Sequence, residues 1–410
     1  PIIDGIFVLD TGSTDNTVEI VNNVIRKLQD ERGTEFIGKV AVSPFVNFGV
    51  SRQKSFTVAK EFLQEKEWDL ENTFGLLLDA DMVLKLDSTN KLKKHLENHD
   101  NAMLYQIQHQ YKYFNVRLIK MSRTWECVGV THEYWKADDS TSCAIFENGI
   151  WIDDVSDGGC KSDKFERDIR LLENALKDEP ENNRYYFFLG QSYMCINKPD
   201  KSIENYKKSI DLGAEWETKW FALSMISKQN ILLGNIKEAE KYCSLAFEYK
   251  SDRSEPLYEM TAYYLSVNNF EKVDEYVKKG VNIPKPERDI IYVDGVIYGY
   301  GFKMLELESM IRRRTKFTTR EIIEKFNKIR NAKFHEKNVY MDDLIWKFAE
   351  KINVEKVIEV ETNKFGLATL AHNSTTGEYV FLKENTRLVR LNAELKPLSE
   401  HEIHLAYDID

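Results

Sequence analysis

The sequence predicts an α/β domain, then an all-α repeat domain, then a short β-rich C-terminal segment. Three textures point to this order. Residues 1–160 alternate short apolar runs with amphipathic stretches, as the strands and covering helices of one sheet do. Residues 161–290 turn helical and repeat, 291–353 stay helical, and 354–410 alternate with the period of strands.

In the first domain, Ile6-Phe7-Val8-Leu9 reads as a buried strand. Asn16 to Gln29 carries Val18, Val21, Val24, Ile25 and Leu28 at helical spacing. Lys39-Val40-Ala41-Val42 is a short strand, Ser51 to Leu63 a helix, and Phe74 to Leu78 a second buried strand. Apolar strands alternating with helices predict a largely parallel sheet covered on both faces.

From Asp163 to Pro286 the helices fit a tetratricopeptide pattern of about 34 residues. Leu189-Gly190, Tyr193, Ser202, Tyr206 and Ser209 fall on its packing positions, with Tyr186 as the early aromatic. Ala175 and Pro180 close an earlier copy. Ala239, Cys243 and Ala246 belong to a second copy shifted by a short insertion, and Val273, Val277, Gly280 and Pro284 to a third. Each helix pair leaves an apolar face that only its neighbour can cover, and small residues allow the close approach. The competing reading is a generic helical bundle. Met304 to Arg314 and Thr319 to Ile329 are further helix candidates, and Arg312-Arg313-Arg314 reads as a solvated helix end. In the tail, 357–360, 379–382 and 386–391 alternate like strands, with Thr376-Gly377 as a turn.

A chain of 410 residues allows two or three domains, and 42% hydrophobic content is enough for packed cores. Lys+Arg 57 against Asp+Glu 67 gives a formal charge of -10. With no basic block, nucleic acid is excluded as a partner class, because such binding runs on clustered Lys and Arg. No apolar run approaches the roughly 20 residues of a membrane helix, so no membrane span is expected. The first residues show no basic stretch followed by a long apolar run. Five cysteines without a CxxC pair argue against a disulfide framework or structural zinc, and a reducing, cytoplasmic setting is expected. Asn373-Ser374-Thr375 is then read as a coincidental glycosylation match.

The sharpest chemical feature is Leu76-Leu77-Leu78-Asp79-Ala80-Asp81, an apolar strand running into two aspartates. In an extended chain, residues i and i+2 share a side, so Asp79 and Asp81 are expected to face one crevice at a strand's carboxyl end. Two adjacent carboxylates call for a cation, and hard oxygen ligands suit Mn²⁺ or Mg²⁺. The second feature is Asp10-Thr11-Gly12-Ser13-Thr14-Asp15-Asn16-Thr17, a strand end, a Gly turn and a helix start. It reads as a nucleotide contact or as simple capping by Thr14 or Asp15. Neither GxGxxG nor Gly-Lys-Ser/Thr occurs, which disfavours dinucleotide and P-loop chemistry.

In this order, these segments resemble the GT-A glycosyltransferases of family 2, and within them the group fused to tetratricopeptide repeats. The resemblance covers roughly residues 1–290 and rests on four segments. Asp10 to Thr17 looks like the nucleotide-binding turn. Phe48-Gly49-Val50-Ser51-Arg52-Gln53 looks like a segment ending in Ala-Arg-Asn, with Gln53 for Asn. Leu78-Asp79-Ala80-Asp81 looks like the DxD metal motif. Val130-Thr131-His132-Glu133 looks like Val-His-Glu, preceded by Arg117-Leu118.

The resemblance implies inverting transfer of a sugar from a nucleotide donor, usually a UDP-sugar, to a protein, peptide or glycan acceptor that the repeats help to hold. It places Asp10, Thr11, Gly12, Ser13, Arg52, Asp79, Ala80 and Asp81 at the donor. Asp79 and Asp81 would serve Mn²⁺ or Mg²⁺, and Glu133 would be the general base. The family's third metal ligand, a His, is missing from Trp151 to Gly159. Asp154 is the expected substitute, with Asp153 and Asp157 as alternatives, and Asp157-Gly158-Gly159 also reads as a turn. The family's first strand is expected to be absent. His132 is expected to be a hydrogen-bonded structural residue rather than a neighbour of the metal. Tyr185, Tyr186, Phe187 and Phe188 are expected in the repeat core, and Trp125 and Trp135 as stacking faces for a sugar. The rival reading is a repeat scaffold whose α/β domain is catalytically inactive.

Overall fold

The computed structural model describes residues 3–33, 36–87, 96, 104–109, 113–137, 143–145, 149–155, 163–287, 292–313, 315–317, 321–322, 325, 328–329, 371–373, 378–383, 387–391 and 397–402. The chain divides into two compact units, Pro1–Ala222 and Leu223–Asp410. The first therefore joins the α/β region to the first helices of the repeat region, whereas the sequence texture places a boundary at 160.

Strand β1 (Gly5–Asp10) leads through the Asp10–Asn16 loop to helix α1 (Thr17–Arg32) and then to β2 (Ile37–Val42). β1 and β2 pair in parallel, with Gly5 opposite Ile37 and Asp10 opposite Val42. Helix α2 (Phe48–Glu65) starts earlier than its apolar spacing suggests, because the Asn47 side chain accepts the Val50 N–H and caps it.

The larger sheet corrects one expectation. It contains β3 (Phe74–Leu76), β4 (Met82–Leu86), β5 (Leu104–His109), β6 (Tyr113–Lys120), β9 (Cys143–Ile145) and β10 (Ile150–Asp154). Its order is β3-β6-β5-β10-β4, with β9 also paired to β5. The β3/β6, β5/β6 and β10/β4 pairs are antiparallel, and only β5/β10 and β5/β9 are parallel. The cause is chain length. A parallel crossover needs a dozen or more residues, usually a helix, and β5 passes to β6 in three. β7 (Trp125–Val128) and β8 (Tyr134–Ala137) form a separate hairpin.

Cover on both faces is present. Leu118 joins Ile107, Ile150 and Ile152 on one face, while its neighbour Ile119 joins Phe56, Met121 and Trp125 beneath α2 on the other. Residues 77–81 connect strands at opposite ends of the sheet order. They pass β6, where the Leu77 N–H donates to the Arg117 carbonyl, and β10, where the Val155 N–H donates to the Asp81 carbonyl.

Helices α3 (Lys164–Ala175), α4 (Asn183–Cys195) and α5 (Pro199–Asp211) follow, and the 222/223 division falls within α6 (Trp216–Leu232). The predicted packing positions carry the α4/α5 contact. A Cβ on Gly190 would lie 2.7 Å from the Tyr206 ring, and Ser202 Oγ donates to the Gly190 carbonyl at 2.8 Å. Tyr185, Phe187 and Phe188 are buried as expected, with Tyr186 half-buried.

The second unit contains α7 (Ile236–Tyr249), α8 (Glu255–Ser266), α9 (Phe270–Gly280) and α10 (Phe302–Arg312), the last preceded by a π-helical turn at Ile297–Gly301. Ala239, Cys243, Met260 and Val273 are fully buried there. The Arg312–Arg314 expectation is corrected. Arg312 bonds the Leu265 carbonyl at 2.8 Å and Arg313 pairs with Asp274 at 2.7 Å, so these cations tie helices together; Arg314 lies outside the described residues.

A recurring turn closes these pairs. Asn197, Gly234 and Asn268 all take positive φ, at 54°, 74° and 58°. After each, the same bond forms: Lys198 N–H to Tyr193 O, Asn235 N–H to Asn230 O and Asn269 N–H to Tyr264 O, all at 2.9 Å. This is a Schellman closure, which satisfies otherwise orphaned helix carbonyls.

In the tail, β11 (Ala371–Asn373), β12 (Glu378–Lys383), β13 (Arg387–Leu391) and β14 (Pro397–Glu402) form an antiparallel sheet in chain order. The strand expected at 357–360, the turn at 376–377 and most of the helix expected at 319–329 lie outside the described residues.

The tight α4/α5 contact predicts that Gly190→Ala destabilises the protein by about 1–3 kcal/mol, despite the better helix propensity of Ala. Tyr206 has no exposed surface into which its ring can shift. Urea titration checks this, and an unchanged or raised midpoint refutes it.

Candidate functional site

Three of the four motif segments, those of α2, Asp79 and Glu133, meet in the first unit. The N-terminus of α2 meets the 127–133 segment main chain to main chain. Phe48 N–H donates to the Val130 carbonyl at 3.1 Å, and a Cβ on Gly49 would lie 2.1 Å from the Gly129 oxygen. Gln53, one residue past Arg52, fixes the pair further. Its amide nitrogen donates to the Trp125 carbonyl at 3.0 Å and its oxygen accepts the Cys127 N–H at 2.7 Å. One helix turn after Gly49, Arg52 reaches two carboxylates at once: Nη1 pairs with Asp79 and Nε with Glu133. Arg117 Nη1 stands 4.0 Å from the second Asp79 oxygen and donates to the Leu77 carbonyl at 3.4 Å.

This bridge joins the DxD segment to the His-Glu segment. Glu133 is the most enclosed of the three, with 15% of its side chain exposed against 30% for Asp79 and 27% for Arg52. Burial works against the Arg52 charge, but the two carboxylates outweigh it and hold the guanidinium firmly protonated. Arg52 is thus held in an ion pair with both carboxylates. Burial, reinforced by the Glu133 charge, pushes the Cys127 thiol up to about 12, leaving it an inert thiol.

A cavity of about 770 Å³ opens beside the bridge. Its walls include the Gly5–Val8 main chain, Phe56, Leu77, Arg52, Glu133 and Trp135. Asp79 and Asp81 are not among the lining residues, and Asp79 meets the cavity through Arg52. β3 ends at Leu76, and the chain turns at 79–82, with Met82 N–H donating to the Asp79 carbonyl at 3.0 Å. The extended i, i+2 geometry expected for Asp79 and Asp81 is therefore corrected to a tight turn, with Ala80 at its exposed tip. The turn lets residues 77–81 change direction between strands at opposite ends of the sheet.

Asp10 is directed into its own loop. Its carboxylate accepts Gly12 N–H at 3.1 Å, Ser13 N–H at 3.2 Å and the Ser13 hydroxyl. The Ser13 hydroxyl bond, opposed by burial and aided by the two amides, holds it below the usual carboxylate range. Thr11 accepts Phe45 N–H on its carbonyl, and Gly12 has a φ of 118°. Asp15 accepts from the Thr17 amide and hydroxyl, which is the capping alternative.

Mn²⁺ or Mg²⁺ is implied by the resemblance, and the donor types fit. Asp81 and Asp154 are brought together by the ladder: β10 pairs Asp154 with Met82, and Val155 N–H bonds the Asp81 carbonyl. Asp79 lies on the same turn, with its carboxylate paired to Arg52 and facing Arg117. Among the described residues, no group of three or more His, Cys, Asp or Glu side chains is placed to hold a metal ion. Asp153 bonds the Trp151 indole at 3.0 Å and faces Lys85 at 3.7 Å; Asp157, Gly158 and Gly159 lie outside the described residues.

Trp125 is corrected from sugar platform to core. It is 2% exposed, and its indole N–H donates to the Lys120 carbonyl at 2.8 Å. Trp135 packs edge-on against Phe56 with centroids 5.6 Å apart and remains at the cavity wall.

His132 takes a φ of 51° and stacks on Phe188, centroids 4.0 Å apart and planes 4° from parallel. Burial, with the Lys164 and Arg184 charges, depresses its pKa to about 4, so it is neutral near pH 7. Asp168 is 1% exposed and accepts the Thr131 hydroxyl at 3.1 Å; burial raises its pKa. Sequence reasoning passed over Asp168, although its spacing to Leu172 and Ala175 puts a carboxylate on the apolar face of α3.

No family model matches the chain. It is 36% identical over 67 residues to the SPbeta prophage-derived glycosyltransferase SunS of Bacillus subtilis (strain 168), covering 16% of this chain and 15% of that protein. The glycosyltransferase SunS of Bacillus phage SPbeta matches to the same extent. The match thus spans well under a fifth of either relative. The crystal structure of MamA protein covers 43% of this chain and 90% of its own, at 21% identity and TM-score 0.32. That of the type IV pilus biogenesis factor PilW covers 45% and 92%, at 11% identity and TM-score 0.27. Among the described residues, no helix is long and apolar enough to cross a membrane.

The low pKa of His132 has a signed consequence. Its folded pKa lies below the ordinary value of 6.5, so stability is complete above pH 6.5 and falls as pH drops toward 4. His132→Asn, which tolerates positive φ, is expected to flatten this slope. Asp168, whose raised pKa acts in the opposite sense, is retained in both proteins, and its Oδ2 lies 3.9 Å from His132 Nε2, so the difference between their melting curves at pH 7 and pH 5 reports the imidazole together with its coupling to Asp168. Equal slopes would contradict the assignment.

Proposed function

We propose that this protein is a metal-assisted, inverting glycosyltransferase moving a sugar from a nucleotide-sugar, with UDP-sugars the first candidates, to a protein, peptide or glycan acceptor. The observation that carries the reading is the Arg52 bridge between Asp79 and Glu133 beside the 770 Å³ cavity. Local similarity to a glycosyltransferase over 67 residues supports it.

Asp79, Asp81 and Asp154 would hold Mn²⁺ or Mg²⁺, which when bound supplies Lewis-acid neutralisation of a diphosphate leaving group. Arg52, at the cavity wall, would meet the donor, and the Asp10–Ser13 loop would contact its nucleotide. Glu133 Oε2, the oxygen not named in the Arg52 pair, accepts the proton of the acceptor nucleophile as that atom attacks the anomeric carbon. The proton stays on the Glu133 carboxyl, and the bond from the anomeric carbon to the phosphate oxygen breaks with its electron pair on the diphosphate. Arg52 holds Glu133 in place until then. The helical repeats offer the acceptor surface.

A scaffold reading is favoured by one fact: Arg52 already satisfies both carboxylates, as a purely structural ion pair would.

Two measurements divide these readings. UDP with Mn²⁺ is expected to raise the melting temperature, since a ligand at 100 times its Kd stabilises by about 2.7 kcal/mol. Asp81→Asn is expected to remove that shift and to cut donor hydrolysis at least a hundredfold, while Glu133→Gln keeps the shift but loses turnover. If no nucleoside diphosphate shifts the melt with Mn²⁺ or Mg²⁺ present, the scaffold reading stands.

A further inference from the structure

We infer that Arg184, on the first helical hairpin, is a positioning residue for Glu133, so that this part of the repeat region belongs to the catalytic apparatus. The inference rests on Glu133 acting as proposed above, and it adds a role for residues outside the α/β region.

The 129–134 segment is held from two sides. The α2 side is the Gly49–Gly129 approach and the Arg52 bridge. The other side is the α3/α4 hairpin. Asp168 on α3 accepts the Thr131 hydroxyl. Arg167, beside it, lies over the Phe48 ring at 5.0 Å and so touches the start of α2. On α4, the Arg184 Nη2 donates to the His132 carbonyl at 2.9 Å. The same guanidinium lies 5.1 Å over the Tyr134 ring and 4.8 Å over Phe188. Arg184 therefore grips the residue before Glu133 and the residue after it. Phe188, one turn further along α4, stacks on His132 itself.

The segment needs this grip. His132 is held at a φ of 51°, a left-handed conformation that a residue with a β-carbon adopts only under restraint. Left to itself, the turn relaxes toward ordinary φ, and the following Cα–Cβ vector, that of Glu133, swings away from Arg52. A displacement of about 1 Å at a reacting group can cost of order a hundredfold in rate. Arg184 acts on the peptide group rather than on the substrate, so its loss should leave donor binding intact.

The test uses the full chain with Mn²⁺ and four donors: UDP-glucose, UDP-N-acetylglucosamine, UDP-galactose and GDP-mannose. It compares wild type, Arg184→Ala, Arg184→Lys and Glu133→Gln by donor hydrolysis, donor Kd and hydrogen exchange. Arg184→Ala is expected to lower kcat ten- to a hundredfold with donor Kd within twofold. Amide exchange should rise about tenfold at 129–134 and stay unchanged in α5. Arg184→Lys, which keeps a cationic donor, is expected to recover part of both losses.

If Glu133→Gln is inactive but Arg184→Ala keeps wild-type kcat or wild-type exchange at 129–134, the inference is overturned. A general rise in exchange through α4 and α5 with equal loss of donor binding overturns it too, because Arg184 would then be only structural. If wild type turns over none of the donors, the proposed function fails, and the claim about catalysis falls with it. Exchange at 129–134 then still separates that failure from a failure of the clamp.

Discussion

One guanidinium organises the first unit. Asp79 comes from a turn linking strands at opposite ends of a mixed sheet, and Glu133 from the loop between β7 and β8. Nothing in the main chain obliges these two acidic groups to stay near each other. Two unit charges about 4 Å apart interact by roughly 4 kcal/mol at an effective dielectric of 20, so the carboxylates would repel if they met without a cation. Arg52 turns that repulsion into attraction on both sides. Its planar fork, with separate nitrogens for the two acids, does what a lysine ammonium does less well. The cavity, the α2 cap and the 129–134 segment are arranged around this charge.

The helical part obeys another economy. Three closures between helices, at Asn197, Gly234 and Asn268, use a left-handed residue followed by the same 2.9 Å bond. These closures return the chain antiparallel, so that small residues meet large ones. Gly190 lies under Tyr206, and Gly280 lies under Phe302, whose ring carbon would sit 2.3 Å from an added Cβ. Cavity-free packing of this kind makes a pair of helices rigid. Helix α4, packed on α5 in this way, carries Arg184 and Phe188, the two residues that hold His132.

Much of the architecture was legible in the chain. The β1, β2 and α1 segments and the packing positions Gly190, Ser202 and Tyr206 follow from local periodicity, which local sequence encodes directly. The mixed sheet was not legible, because strand pairing depends on connection lengths and on distant partners. The Asp79–Asp81 geometry failed for a related reason: an apolar run ending in Leu77-Leu78 looks like a strand, yet it must bend to reach β4. Trp125 looked like a platform because its neighbours carry chemistry, but its indole N–H finds the Lys120 carbonyl inside the core. Asp10, Arg52, Asp79 and Glu133 were named from the family resemblance. The bonds of Arg52 to Asp79 and Glu133, and the part played by Asp168 and Arg184, depend on contacts between elements far apart in sequence.

Gly49 sets a length scale for the site. Its missing side chain lets helix α2 rest on the Gly129 carbonyl, backbone against backbone, and Arg52 stands one turn along the same face. The guanidinium's height above the floor is then gauged by peptide geometry, which varies little, and not by the size of packed side chains. Cavity walls such as Phe56 and Trp135 can thus change bulk, and so change which molecule fits, while the spacing between the charged groups stays constant. The pocket's selectivity and its electrostatics are separable by construction.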